Sequence, residues 1–444
     1  MIKKVLFLIV LSVSLSACLE IKQPYTKLPP GMWRGVILPD ADPSQKKGID
    51  DEDILAGKVK FEAVAQNEIP FLMEVSYTDD DEMIIKIING DEVIIIDSIS
   101  FGLDRSIAKD TFTIPFTLYN KSLKGIFAEN VMEGHWIDHN EDNYKIPFVA
   151  YHGQDYRFAS INKEVHHDLT GNWRTTFYLD EDRTRPAIGE FLQNGNHLSG
   201  TFITESGDYR YLDGTVQEDK FYLSTFDGAV AYLFEGKIID NDSIIGLFRS
   251  GKTYQVTWSA TRDDQFELTN PESMTAVSGR YTPASFPVSL QEEYTIDPSK
   301  QKLTIIQVLG TWCRNCLDET NFFTELYDKY REDGLEIVAI SFEKARTEED
   351  AFKRLNAYKT RLNVNYPIVL GALSTKGEVV MEAIPVLQDF RAYPTTIFID
   401  SNNNIRKVHT GIYGPATGKF EDYKNSIVSV IENVLYQKPM HKSL

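Results

Sequence analysis

The stretch Lys302-Leu303-Thr304-Ile305-Ile306-Gln307-Val308-Leu309 runs directly into Gly310-Thr311-Trp312-Cys313-Arg314-Asn315-Cys316. Its first part is short, mostly apolar and rich in β-branched residues, the pattern of a buried strand. Beyond the cysteines, Phe322, Phe323, Leu326, Tyr327 and Tyr330 recur at helical spacing, so the cysteine pair stands where a strand hands over to a helix. Lys329 and Arg331 suit the C-terminal end of that helix and Gly334 stops it. Leu335 to Ile340 reads as a second strand, and Thr347-Glu348-Glu349-Asp350 has the form of a capping box that opens another helix. Pro367 to Leu370, Thr395 to Ile399 and Ile405 to His409 read as further strands, with a final helix marked by Tyr423, Ile427, Ile431 and Leu435. Strands alternating with helices predict an α/β domain over residues 280–438.

Working outward, the rest of the chain has another character. The 444 residues carry 46 basic and 65 acidic side chains, net −19, which argues against a protein that neutralises nucleic-acid phosphates. Residues 280–444 hold 20 of the basic and 21 of the acidic side chains, so nearly all the excess charge lies in front of them. From Trp33 to about Arg262 the pattern is of short strands. Ile84 to Ile88 runs through Asn89-Gly90-Asp91 into Val93 to Ile96, a strand–turn–strand signal, and Gln193-Asn194-Gly195 makes a similar turn before Leu198. An internal echo accompanies it. Gly31-Met32-Trp33-Arg34 is matched by Gly171-Asn172-Trp173-Arg174, and the Gly125 to Gly134 and Ile146 to His152 segments parallel Gly236 to Gly246 and Tyr254 to Ala260. The expected architecture is therefore an N-terminal all-β region of two duplicated antiparallel units, sandwich-like or barrel-like, over residues 33–160 and 166–265, followed by the α/β domain. An insertion in the acidic stretch Asp40 to Asp53 would account for the shorter spacing in the second copy. Trp33, Trp136, Trp173 and Trp258 are expected as core anchors, and no chemistry is evident in this half.

The start of the chain reads as an address. Lys3 and Lys4 precede an apolar run from Val5 to Leu15, too short to span a bilayer of about 30 Å, which ends in Leu15-Ser16-Ala17-Cys18. This resembles the lipobox of bacterial lipoproteins. It implies a signal peptide over residues 1–17, lipidation of Cys18, and a tether over residues 18–32. Cys313 and Cys316 would then be the chain's two free thiols, in a compartment where disulfide chemistry is permitted. A zinc site would need two more cysteine or histidine ligands at matching spacing, and the sequence offers none, so no metal and no cofactor beyond the cysteine pair itself are expected.

Trp312-Cys313-x-x-Cys316 at a strand-to-helix junction, with Tyr393-Pro394-Thr395-Thr396 later, resembles the thioredoxin fold, and more closely the TlpA-like thiol-disulfide reductases of the bacterial envelope. Gly334-Leu335-Glu336-Ile337-Val338-Ala339-Ile340-Ser341, the insertion around Glu343 to Leu373, and His409-Thr410-Gly411 with Gly414 match as well. The resemblance spans about Phe286 to Tyr436. It implies that Cys313 is the nucleophile and Cys316 the resolving thiol of disulfide exchange. A helix N-terminus is worth roughly 0.3–1 kcal/mol to a thiolate, whereas lowering a thiol pKa from about 8.5 to about 7 needs nearer 2 kcal/mol. Backbone N–H groups and the Cys316 thiol must therefore help. Thioredoxins usually carry a buried aspartate where this chain has Gln307, which cannot accept a proton. Glu319, one turn beyond Cys316, is placed to take that proton instead. Trp312, Tyr393 and Pro394, the last expected in the cis form, would receive an extended substrate segment. Arg314 and Asn315 between the cysteines would tune the redox potential. The peroxidatic pattern Pro-x-x-x-Thr-x-x-Cys of peroxiredoxins is absent.

Together these readings describe a lipid-anchored, periplasm-facing thiol-disulfide oxidoreductase. It would reduce disulfides of client proteins and be re-reduced by a membrane or periplasmic electron donor, with the envelope membrane as its other partner. Two alternatives stand beside it. One is a disulfide oxidase or isomerase on the same fold. The other is a β-domain binding or assembly lipoprotein whose thioredoxin module only docks partners.

Overall fold

The computed structural model describes residues 27–39, 68–159 and 165–436, and the expected signal peptide, Cys18 and the Asp40 to Asp53 insertion lie outside them. The first β unit consists of β1 (Gly31–Ile37), β2 (Ile69–Tyr77), β3 (Met83–Asn89), β4 (Glu92–Ile96), β5 (Ser100–Asp104), β6 (Lys109–Phe116), β7 (Lys121–Ala128), β8 (Val131–Asp138) and β9 (Lys145–His152). The second consists of β10 (Gly171–Tyr178), β11 (Thr184–Asn194), β12 (His197–Thr204), β13 (Gly207–Asp208), β14 (Leu212–Gln217), β15 (Lys220–Phe226), β16 (Ala231–Asp240), β17 (Ser243–Ser250) and β18 (Tyr254–Arg262). The tether expected up to residue 32 ends sooner. Leu28 is fully buried in the first core and Gly31 already opens β1, because an apolar side chain and the carbonyl that receives the Trp33 indole both belong inside the fold.

The echo in the sequence is an echo in structure. Gly31 and Gly171 each enter the first strand at φ near +117°, a backbone that favours glycine. Two residues on, the Trp33 indole donates to Pro29 O at 3.1 Å and the Trp173 indole to Leu169 O at 2.9 Å, the same four-residue reach. Gly125 pairs with Gly134, and Gly236 with Gly246, in equivalent neighbouring strands. Both sheets join first strand to last, β1 to β9 and β10 to β18. They differ in closure. In the second unit β11 also pairs β12, completing a ring of eight strands filled by Trp173, Phe177, Phe202, Phe234 and Trp258. In the first unit the order β4-β3-β2-β1-β9-β8-β7-β6-β5 leaves β4 and β5 unpaired with each other.

The second unit completes the first from outside. Strand β15 is buried on both faces: Phe221 and Leu223 point into their own barrel, while Tyr222 and Phe226 join the core of the first unit. A strand covered on both sides loses the apolar–polar alternation of a half-exposed one. Arg157 pins the seam. Its guanidinium lies 3.2 Å from Asp213 and donates to Pro70 O, Ile88 O and Ser224 O, spanning both units.

The C-terminal domain begins with a hairpin, β19 (Ala284–Pro287) and β20 (Glu293–Ile296), which the sequence pattern had not marked. Then follow β21 (Leu303–Leu309), α1 (Arg314–Tyr330), β22 (Leu335–Phe342), α2 (Glu348–Arg361), β23 (Ile368–Ala372), α3 (Gly377–Ala383), β24 (Thr395–Asp400), β25 (Ile405–Thr410) and α4 (Phe420–Leu435). The sheet order is β23-β22-β21-β24-β25, parallel through the first three strands and antiparallel beyond. β21 is central and wholly buried, as its unbroken apolar run required. The α2 N-cap forms as expected, with Thr347 Oγ1 accepting from Asp350 N at 3.1 Å. Gly334 ends the α1 region in the left-handed conformation. The fold is thus an all-β region followed by a thioredoxin-like α/β domain.

Replacing Arg157 by alanine removes one partner of a buried ion pair and strands carbonyls on both β units. A loss of about 3 kcal/mol in urea unfolding is expected. Unchanged unfolding would show that the seam does not depend on this residue.

Candidate active site

β21 ends at Leu309 and delivers Gly310 to Trp312 to the mouth of the sheet, where α1 starts. Cys313 is the N-cap of that helix, and Cys316 N donates to its Sγ at 3.2 Å. The two cysteines form a disulfide with Cα atoms 5.3 Å apart. Cys316 is fully buried and Cys313 is 7% exposed, so any approach from outside is to Cys313. Trp312 is fixed by its indole N–H on Phe342 O at 2.9 Å, and its ring meets Tyr393 edge-on with centroids 5.1 Å apart. The Tyr393–Pro394 bond is cis, and Gly411 N donates to Pro394 O at 2.8 Å.

Glu319 is fully buried, which excludes the solvated surface residue that a helix glutamate most often is. It accepts from Tyr423 OH at 2.6 Å, Thr396 Oγ1 at 2.8 Å and Gln307 Nε2 at 2.9 Å, drawing together α4, β24 and β21. Burial pushes its carboxyl up to about 7, against the downward pull of these three donors. Gln307 is equally buried, and its amide lies 3.5 Å from Cys316 O. Its carbonyl accepts from Thr320 Oγ1 at 3.2 Å. A neutral amide and a raised carboxyl are thus bonded to each other one helical turn beyond the inner cysteine.

Residues 284–408 match the AhpC/TSA family. The thiol-disulfide oxidoreductase ResA of Geobacillus thermodenitrificans is 28% identical over 158 residues, which cover 35% of this chain and 80% of the relative. ResA of Halalkalibacterium halodurans is 35% identical over 102 residues, or 23% of this chain and half of the relative. Among solved structures, a thiol:disulfide interchange protein of the thioredoxin family from Chlorobium tepidum aligns with 36% of this chain and 99% of its own at 19% identity and a TM-score of 0.27. The C-terminal domain is similar to thiol-disulfide oxidoreductases, ResA among them. The family match leaves residues 1–283 outside it.

What sets this domain in its own surroundings is the residue pair between the cysteines. Arg314 runs into the meeting point of all three units. Its guanidinium donates to Tyr119 OH and Glu92 Oε1, both at 2.7 Å, and Nε lies 2.7 Å from Asp227 Oδ2 as an ion pair without hydrogen-bond alignment. Glu92 and Tyr119 come from the first β unit and Asp227 from the second. Arg210 of the second unit pairs in turn with Glu92 and with Asp318 of α1. Burial alone would push the Glu92 carboxyl up, but the two arginines hold it below its ordinary value. Asn315 packs against Gly207 of the barrel.

Of the residues expected in one site, Trp312, Cys313, Cys316 and Tyr393 pack in one cluster, and Glu319 bonds Thr396, two residues past Pro394; the sequence reading missed others. It missed Glu343, a fully buried carboxylate at the end of β22 that accepts from Thr311 N at 2.8 Å and Thr311 Oγ1 at 2.7 Å, bracing the loop before Trp312. Its position just past the C-terminal end of a parallel strand, where α/β sheets place their sites, was the available signal. Glu92, Tyr119, Asp227 and Arg210 carried no local signal at all.

With Glu319 raised from 4.5 to about 7, the native chain keeps a proton that the unfolded chain releases. Stability from this group is full at about pH 4.5 and is lost as pH rises through about 7. The urea midpoint of oxidised wild type should therefore fall over that interval relative to Glu319→Gln. Parallel pH curves for the two proteins would remove the raised carboxyl from the account.

Proposed function

We propose that the protein is an extracytoplasmic thiol-disulfide oxidoreductase, anchored by lipid at Cys18, that reduces disulfides of client proteins through Cys313 and Cys316. The observation that carries the reading is the cysteine pair at the start of α1, with one sulfur able to meet a partner and the other enclosed next to a turn that holds Glu319. The ResA relatives support the oxidoreductase class, and the first three of them are covered over 80%, 60% and 50% of their own lengths.

In the reduced protein, the Cys313 thiolate attacks one sulfur of a client disulfide. A Cys313–client disulfide forms, and the client's other sulfur leaves as a thiolate that takes up a proton. Cys316 then gives its proton to Glu319 and attacks Cys313 Sγ. The intramolecular disulfide forms, and the client's second sulfur leaves and is protonated in turn. Two electrons pass from the pair to the client, and an external dithiol donor restores the pair. Glu319 suits this duty because a carboxyl poised near 7 can both accept and return a proton at ordinary pH. Cys316, with no access to solvent, needs such a neighbour.

Cys316→Ser should accumulate mixed disulfides through Cys313 in cells, and Cys313→Ser should trap none. Glu319→Gln should slow turnover roughly 10- to 100-fold while the fold persists, and should flatten the pH–rate profile near 7. A purified wild type that cleaves no disulfide when supplied with dithiothreitol overturns the reading, as does a Cys316→Ser protein that captures no client.

A further inference from the structure

Resting on that reading, we infer that the barrel turn Glu205–Asp208 occupies the groove in which a client's extended segment would lie, so that the second β unit decides which disulfides reach Cys313. The turn joins β12 to β13 and leans on the redox domain at three places. Gly207 faces the Asn315 side chain so closely that an added Cβ would meet its amide, and the Gly207 φ of +139° favours glycine. The backbone of Glu205 and Ser206 lies over Gly411, where an added Cβ would come within 2.8 Å of Glu205 O. Asp208 accepts from Gly414 N at 2.8 Å.

These contacts bracket the reactive face. Asn315 stands between the two cysteines, and Gly411 is bonded to Pro394 O and so adjoins the cis-proline loop. A chain crossing from Asn315 to Gly411 therefore passes over the surface that an extended peptide would need beside Tyr393 and Pro394. The turn is itself held down. Arg210, two residues past Asp208, is ion-paired to Asp318 on α1 and to Glu92 of the first unit. Asp208 also accepts from Arg210 N at 2.8 Å, tying the turn to that clasp. On the opposite flank, Trp312 and Tyr393 stay partly exposed, which leaves a narrow approach to Cys313. A small disulfide fits such an approach, whereas a disulfide set in a protein surface must displace the turn first.

The test compares two substrates on the full chain. The reduced wild type, Gly207→Val and Asp208→Ala are each given 5,5′-dithiobis(2-nitrobenzoic acid) and, separately, insulin. Gly207→Val puts a bulky side chain where Asn315 now packs and strains a backbone that suits glycine, and Asp208→Ala removes the bond to Gly414. Each variant should raise the insulin rate about tenfold while the small-disulfide rate stays within about twofold of wild type. If both variants melt like wild type and neither changes the insulin rate, the turn is not a cover. Should the variants fail to fold, amide hydrogen exchange on Cys316→Ser decides the matter. With a cysteine peptide trapped on Cys313, exchange at Gly414 and Arg210 should accelerate at least about tenfold over the untrapped protein, and unchanged protection overturns the inference. If neither substrate is cleaved by wild type, it is the oxidoreductase reading that falls.

Discussion

Arg314 carries a positive charge from between the two cysteines into the interior, and satisfying it ties the cysteine helix to both β units. Taking an ion out of water costs several kcal/mol unless charged and hydrogen-bonding partners replace the solvent. Glu92, Tyr119 and Asp227 do this, each from a part of the chain far from the cysteines. Because Glu92 also serves Arg210, and Arg210 serves Asp318 on α1, the charges form one linked group. Withdrawing Arg210 would leave the Asp318 carboxylate without its cation, and withdrawing Arg314 would do the same to Asp227, in a low-dielectric place. The cysteine helix is thereby bolted to both β units through its own first turn, and the dithiol is not the free-standing tip that a lone thioredoxin-like domain would present.

Behind the sulfurs a second constraint operates. A carboxyl with no solvent must either ionise against polar neighbours or remain protonated, and Glu319 is balanced between these states by Tyr423, Thr396 and Gln307. Gln307 occupies the strand position where thioredoxins usually carry an aspartate. It contributes a donor instead of a second acid, which avoids two buried carboxyls repelling each other. In the mechanism proposed above, the group that handles the proton therefore stands on the helix and not on the strand.

Much of this was legible in the sequence because it is local. The strand, the cysteine pair and the helix lie within a few residues of one another, and Gln307 and Glu319 come close once the strand and helix pack together. The duplicated β units were legible through Gly31-Met32-Trp33-Arg34 and Gly171-Asn172-Trp173-Arg174, since a left-handed glycine before an indole anchor is a strong local demand. What escaped depends on pairing between distant segments. Closure of one ring through β11 and β12, and its failure between β4 and β5, is decided by register and not by composition. Glu92 stands 222 residues from Arg314 and looks like any acidic residue after a turn. Leu28 in the expected tether was concealed by the prolines beside it.

Strand β15 has a bearing on how the protein tolerates change. Its Phe221 and Leu223 fill one interior while Tyr222 and Phe226 fill another, so each consecutive position answers to a different set of neighbours. Neither β unit can drift in sequence at this strand without the other registering the fault. A fragment that kept only the first unit would present an apolar wall to water. The two units therefore fold and fail as one body, although each is built on the same local pattern.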